Sequence, residues 1–188
     1  MRNLRLIRCI YPPIWPFQLV TPLNIGQGSP NRAMIQNKPA SGALTQHPLP
    51  SLTVPSAILV HGIGDLRAAL EAASSLGRAL TVLSIPGAAG SAGPAWFHAL
   101  IQAGAAEFPD VPLTGVLDCT DRPGHALAAL RAGCRDLLMD GSVPAWPRVQ
   151  AIAEASAARL YRCRGPVFDP RFFREPIGAC REWLAVNP

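Results

Sequence analysis

The chain has 188 residues, 49% of them hydrophobic, which is enough for one domain with an apolar core. Its formal net charge of +5 comes entirely from residues 1–50, because residues 51–188 hold 12 arginines and 12 acidic residues. This balance disfavours nucleic-acid binding by the folded part. Lys38 is the only lysine, so Schiff-base chemistry and a GxxxxGK phosphate loop are excluded from residues 51–188.

Residues 1–55 do not have the pattern of a folded element. The segment begins with basic residues and continues with apolar ones, but three prolines interrupt the apolar stretch. No apolar run in it reaches the length of a membrane span. Residues 21–55 are rich in Pro, Gly, Asn, Gln and Ser without periodicity, so we expect 1–55 to be a disordered basic tail or linker. The five cysteines are widely spaced without a CxxC motif, which indicates reduced thiols and a cytoplasmic location.

From residue 56 onward, short apolar runs alternate with stretches of helical periodicity. Strands are predicted at 56–62, 79–85, 111–118, 135–140 and 159–163, and helices at 64–78, 94–108, 123–133 and 144–158. Such alternation predicts an α/β fold with a parallel sheet of four to five strands over residues 56–163. Residues 164–188 are predicted to form a C-terminal helical extension.

Polar residues follow several of these strands, at the edge where parallel α/β folds gather their chemistry. In the stretch LDCTD, Asp118 is either an acid/base group or a hydrogen-bond acceptor for the following turn. Cys119 is a metal ligand, a thiol nucleophile or a small buried residue. Asp121 precedes Arg-Pro and fits a helix N-cap. We interpret His61, at the end of the first strand, as hydrogen-bonded structure.

Three segments in register carry a resemblance to a known family. They are the loop PGAAGSAGP after the second strand, GVLDCTD at the third, and AGCRDLLMDGSVPAW around the fourth. Over residues 58–158 the chain resembles the first half of class II (metal-dependent) fructose-bisphosphate and ketose-bisphosphate aldolases. The resemblance implies part of a TIM barrel, here a half-barrel with an open sheet, and a catalytic zinc.

The resemblance also assigns roles to individual residues. Asp118 matches the catalytic acid/base, and Cys119 stands where the family has a zinc-binding histidine. Asp140 is the second candidate zinc ligand, because it matches the family's DGS segment together with Ser142. The same comparison implies substrate binding by Ser142 and by Gly87 and Ala88 of the loop after the second strand.

The chain departs from the family in its second half. Residues 164–188 contain no histidine and no Gly-rich phosphate loop, so the remaining zinc and phosphate sites are missing. Our first hypothesis is therefore a degenerate relative without aldol-cleaving activity, acting as a binding or assembly module. The alternative is a zinc-dependent aldolase, an aldehyde-lyase, whose site is completed by oligomerisation or by a second chain.

An open sheet of four or five strands would leave one apolar face uncovered. We expect a homodimer or a partner chain to cover that face, or the C-terminal segment from residue 170 to do so. A third arrangement, with helices on both faces of an open flavodoxin-like sheet, is less favoured. A small sugar phosphate is the ligand that the resemblance suggests, and neither nucleic acid nor a membrane is expected as a partner.

Overall fold

A computed structural model describes residues 53–187. Of the segment predicted to be disordered, only residues 53–55 fall within this range. The strands are β1 (Ala57–Val60), β2 (Leu80–Ser84), β3 (Leu113–Asp118), β4 (Asp136–Leu138), β5 (Arg159–Tyr161) and β6 (Val167–Phe168). The helices are α1 (Ile63–Leu76), α2 (Ala88–Ser91), α3 (Pro94–Glu107), α4 (Pro123–Arg131), α5 (Trp146–Ala155) and α6 (Pro176–Val186), with a 3₁₀ turn at Pro170–Phe172.

The strands form one open sheet in the order β5-β4-β3-β2-β1-β6, and every pairing is parallel. The first five strands thus lie in chain order with helices between them, as in consecutive units of a (βα) barrel. The predicted α/β fold class is confirmed, and the arrangement is consistent with a half-barrel. The sheet has one strand more than predicted, the two-residue β6.

The last strand and helix return to the beginning of the fold. β6 pairs with β1, with Val167 opposite Ala57 and Phe168 opposite Ile58. Helix α6 packs on α1, and Arg78, just after α1, donates a hydrogen bond to the Leu184 carbonyl. This is the position that the last βα unit of a closed barrel would occupy beside the first.

All six helices contribute to one hydrophobic core on one face of the sheet, which we call the helical face. Cys180 and Trp183 place α6 in this core. The C-terminal helix therefore extends the helical layer, and the expectation that it covers the opposite face is wrong.

The opposite face, which we call the inner face, carries a second apolar cluster formed by Val54, Ala57, Leu83, Val116, Leu138 and Tyr161. Two segments meet at this face: residues 53–56, before β1, and residues 162–166, which link β5 to β6. The Val54 N–H donates to the Cys163 carbonyl at 2.9 Å, and the Ala57 N–H donates to the Pro166 carbonyl at 3.0 Å.

The inner face is consequently not an open apolar surface. Leu83 and Val116 have no exposed area, and Tyr161 is 4% exposed. This burial removes the physical reason for a second chain over the sheet, although the predicted dimer itself remains a prediction. Within residues 53–187 no helix is long and apolar enough to cross a membrane.

Candidate functional site

The residues singled out in the sequence lie at the carboxyl ends of β2, β3 and β4. Asp118 is the last residue of β3, and the Gly87 N–H after β2 donates to its Oδ1 at 3.0 Å. The Asp140 N–H after β4 donates to the Thr120 carbonyl at 2.8 Å. Parallel strands bring these three loops to one edge of the sheet, as expected.

The Asp118 carboxylate is buried and bound by donors of its own chain. Its side chain is 2% exposed. Oδ1 accepts from the N–H groups of Gly87 and Thr120, at 3.0 and 2.9 Å, and Oδ2 forms an ion pair with the Arg164 guanidinium. One carboxylate thus ties together the loops after β2, β3 and β5.

The local backbone is shaped around this carboxylate. Gly87 lies in the left-handed region, with a φ of 71°, where its N–H reaches Asp118. Thr120 also has a positive φ, 50°, which is unusual for a β-branched residue and costs free energy. Three hydrogen bonds hold Thr120 there. Its N–H donates to Asp118, its hydroxyl donates to the Cys119 carbonyl, and its carbonyl accepts from the Asp140 N–H.

The Cys119 thiol lies in the core of the helical face. It has no exposed area, and its nearest polar partner is the Leu117 carbonyl, with Sγ at 3.7 Å. Burial raises the pKa of the Cys119 thiol to about 12, and the neighbouring Asp118 charge adds to the shift. The group is thus a protonated core thiol at neutral pH, whereas zinc binds thiolate.

Asp140 and Ser142 form a surface turn. The Ser142 N–H donates to Asp140 Oδ1 at 2.8 Å, which is an Asx turn. The Arg162 guanidinium donates to the Gly141 carbonyl at 3.1 Å and stacks over the Trp146 ring at 5.3 Å. Ser142 as a substrate contact stays a prediction.

The zinc prediction finds no supporting geometry among the described residues. Within 53–187 no group of three or more His, Cys, Asp and Glu side chains is placed to hold a metal ion. Of the two candidate ligands, Cys119 is a protonated core residue and Asp140 caps its own turn. In this arrangement the residues do not fit a zinc site, and zinc binding stays a prediction.

Two side chains at this edge were not assigned a role from the sequence. Arg164 lies 46 residues beyond Asp118, and no local pattern links the two. Asp169, which follows β6, accepts from the His61 ring with Nε2 and Oδ2 3.3 Å apart. The interpretation of His61 as hydrogen-bonded structure agrees with this contact and with its N–H donated to Asp65 Oδ2 at 2.9 Å.

A cavity of about 160 Å³ lies at the other end of the sheet, near the starts of β3 and β4. Its lining includes Phe97, His98 and Ile101 of α3 and Gly133, Cys134 and Arg135 before β4. Because this cavity is at the amino ends of the strands, it has no connection with the predicted site. Asp118, at the carboxyl end of β3, is not among the residues that line it.

Two buried thiols, those of Cys119 and Cys180, should make the stability of the fold depend on pH above about 9. Burial raises the pKa of the Cys119 and Cys180 thiols from 9.0 to about 12. The unfolded chain loses these protons from about pH 9, while the folded chain retains them until about pH 12. The contribution of these protonated thiols to the free energy of unfolding is therefore fully present below about pH 9 and is lost as the pH rises toward about 12.

We expect the free energy of unfolding in urea to fall steadily from pH 9 to pH 11. Cys119→Ala should reduce the slope of this fall, whatever it does to stability at pH 7. If the slope were unchanged in Cys119→Ala, the Cys119 thiol would not have the raised pKa described here.

No protein-family model matches the sequence, and no curated protein matches it. Among solved structures, one described as a "putative fructose-1,6-biphosphate aldolase" from Coccidioides immitis is similar, with 19% sequence identity and a TM-score of 0.46. The similarity covers 58% of this chain and 45% of that one, so this chain corresponds to less than half the length of that protein.

Proposed function

We propose that the chain is an aldolase-like α/β protein that has no aldol-cleaving activity and acts as a binding or assembly module. The observation that carries the proposal is the state of Asp118, the residue that the motif resemblance assigns as acid/base. Its carboxylate is 2% exposed and accepts hydrogen bonds from three groups of its own chain. A general acid or base must instead reach the proton of a substrate.

The surroundings of Asp118 support the same proposal. Gly87 is a substrate-binding residue according to the resemblance, and its N–H is donated to Asp118. Cys119, in place of the expected zinc ligand, is a core thiol with a raised pKa. Asp118, Cys119 and Gly87 thus each have a structural role that explains their presence without catalysis.

The proposal is tested by assaying the purified full chain for cleavage of fructose 1,6-bisphosphate with zinc, cobalt or chelator present. We expect no metal-dependent cleavage, and bound zinc far below one atom per chain by elemental analysis, in wild type and in Cys119→Ser alike. Near-stoichiometric zinc that disappears in Cys119→Ser, with cleavage that disappears in Asp118→Asn, would overturn the proposal. That outcome would establish the zinc-dependent lyase.

A further inference from the structure

The cavity of about 160 Å³ at the amino ends of β3 and β4 takes no part in the Asp118 contacts. It lies between helix α3 and the segment that leads from α4 into β4. Its volume is close to that of an engineered protein cavity of about 150 Å³ that binds benzene. The space is therefore large enough for a single ring with one small substituent.

Apolar side chains form one wall of this cavity. Phe97 of α3 is 1% exposed, and Ile101, one turn further along the same helix, packs against the core of the helical face. Leu113, at the start of β3, also lines the cavity and is partly buried. A ligand that covered this wall would remove apolar surface from water, which is the main source of affinity in small-molecule sites.

Two glycines shape the lining. A Cβ added at Gly115 would lie 2.5 Å from Ile101 Cδ1, and one added at Gly133 would lie 3.2 Å from the His98 ring. Gly133 also has a φ of 95°, which a larger residue rarely adopts. A side chain at either position would force Ile101 or His98 to move, so the shape of the cavity depends on glycine at both.

Neutral polar groups complete the lining. His98 is half-buried and Gln102 is exposed on α3, and Thr114 is half-buried on β3. A neutral imidazole, an amide and a hydroxyl can each donate and accept a hydrogen bond. These groups can therefore orient a ligand that carries one hydroxyl or carbonyl group, while its apolar part lies against Phe97 and Leu113.

The two charged residues of the lining have partners within the chain. The Asp136 carboxylate accepts from Arg159 Nε at 2.6 Å and from the Tyr161 hydroxyl at 3.1 Å. Arg135 is exposed, and its guanidinium donates to the Ser156 carbonyl at 3.3 Å. A charged ligand would have to compete with these contacts or lose its hydration without an ion pair in return. The lining thus favours an uncharged ligand.

We propose that this cavity binds a small uncharged molecule with a single ring and one hydrogen-bonding group, of about the size of phenol. The ring would lie against Phe97 and Leu113, and the polar group would contact His98, Gln102 or Thr114. This inference rests on the proposed function, because it gives the binding module a site for a ligand. That site is at the end of the sheet opposite the Asp118 contacts.

The experiment is a titration of the isotope-labelled full chain with phenol, in which NMR spectra follow the chemical shifts of the backbone amides. We expect saturable shifts at residues 97–102, 113–115 and 133–136, with a dissociation constant of about 1 mM for so small a ligand. Benzoate and benzylamine carry a negative and a positive charge on a similar ring, and they should bind about fivefold more weakly or not at all.

Gln102→Trp tests the position of the site. The larger side chain would fill the mouth of the cavity, and the variant should fold because Gln102 is exposed, which circular dichroism checks. The dissociation constant for phenol should rise about tenfold or more. Ala103→Trp is the matched control, because Ala103 is exposed on the same helix and is not among the residues that line the cavity. It should leave binding unchanged.

Four outcomes would overturn the inference. They are no saturable shifts, shifts only at residues away from the cavity, equal binding of benzoate or benzylamine, and an equal loss of affinity in Ala103→Trp. The shifts of the wild-type chain locate the site without any variant. None of these outcomes bears on aldol cleavage, whereas metal-dependent cleavage would remove the proposed function and leave the NMR result intact.

Discussion

Replacing Asp118 by alanine should lower the free energy of unfolding by about 3 kcal/mol, the lower end of the usual cost of removing one partner from a buried ion pair, because the Arg164 side chain left behind is 26% exposed. The loss would leave the Arg164 guanidinium without its carboxylate and the N–H groups of Gly87 and Thr120 without an acceptor. The loops after β2, β3 and β5 would lose their common anchor. Urea denaturation followed by circular dichroism measures the change.

Asp121→Ala is the matched control for this measurement. Asp121 pairs with Arg122 in the same turn, but the two side chains are 64% and 69% exposed, so its removal should cost less than about 1 kcal/mol. The double variant Asp118→Ala with Arg164→Met should cost less than the sum of the single ones, because the two groups interact directly.

The sign of the Asp118 effect separates a structural aspartate from a catalytic one. Groups held for catalysis are often strained or incompletely paired, and their removal then leaves stability unchanged or raises it. A stability gain in Asp118→Ala would therefore count against our proposed function, even before any assay of activity. A loss of several kcal/mol would agree with a carboxylate retained because it joins three loops.

The sequence predicted the fold class because the strands and helices it contains have clear periodicity. The first five strands are short, mainly apolar segments separated by helices, and this alternation predicts parallel neighbours in chain order. β6 was missed because two residues, Val167 and Phe168, are too few to show a period. Its partner β1 lies more than 100 residues earlier, so no local signal indicates the pairing.

The candidate site was predicted in part. The edge of the sheet where Asp118 meets Gly87 follows from strand order alone. The partner of Asp118, Arg164, could not be predicted, because it comes from the segment that crosses to β6. The position of Cys119 was predictable: successive residues of an extended strand point to opposite faces, so Asp118 on the inner face places Cys119 with Leu117 in the helical core.

Residues 162–166 link β5 to β6. Adding side-chain volume there should lower the free energy of unfolding about as much as removing the Asp118 carboxylate does. A Cβ added at Gly165 would lie 2.2 Å from the carbonyl oxygen of Val54, and backbone atoms cannot move aside as a flexible side chain can. We expect Gly165→Ala to lower the free energy of unfolding by about 3 kcal/mol, at the upper end of typical overpacking costs. Denaturant unfolding followed by circular dichroism would report it.

Gly178→Ala provides the matched control, because Gly178 lies in α6 and no atom is within 4 Å of an added Cβ. There the substitution should raise stability by about 0.5 kcal/mol, since alanine favours the helix. If Gly165→Ala were equally harmless, residues 53–56 and 162–166 would not be packed as described. The inner face would then need another cover, and the predicted partner chain over the sheet would regain its physical reason.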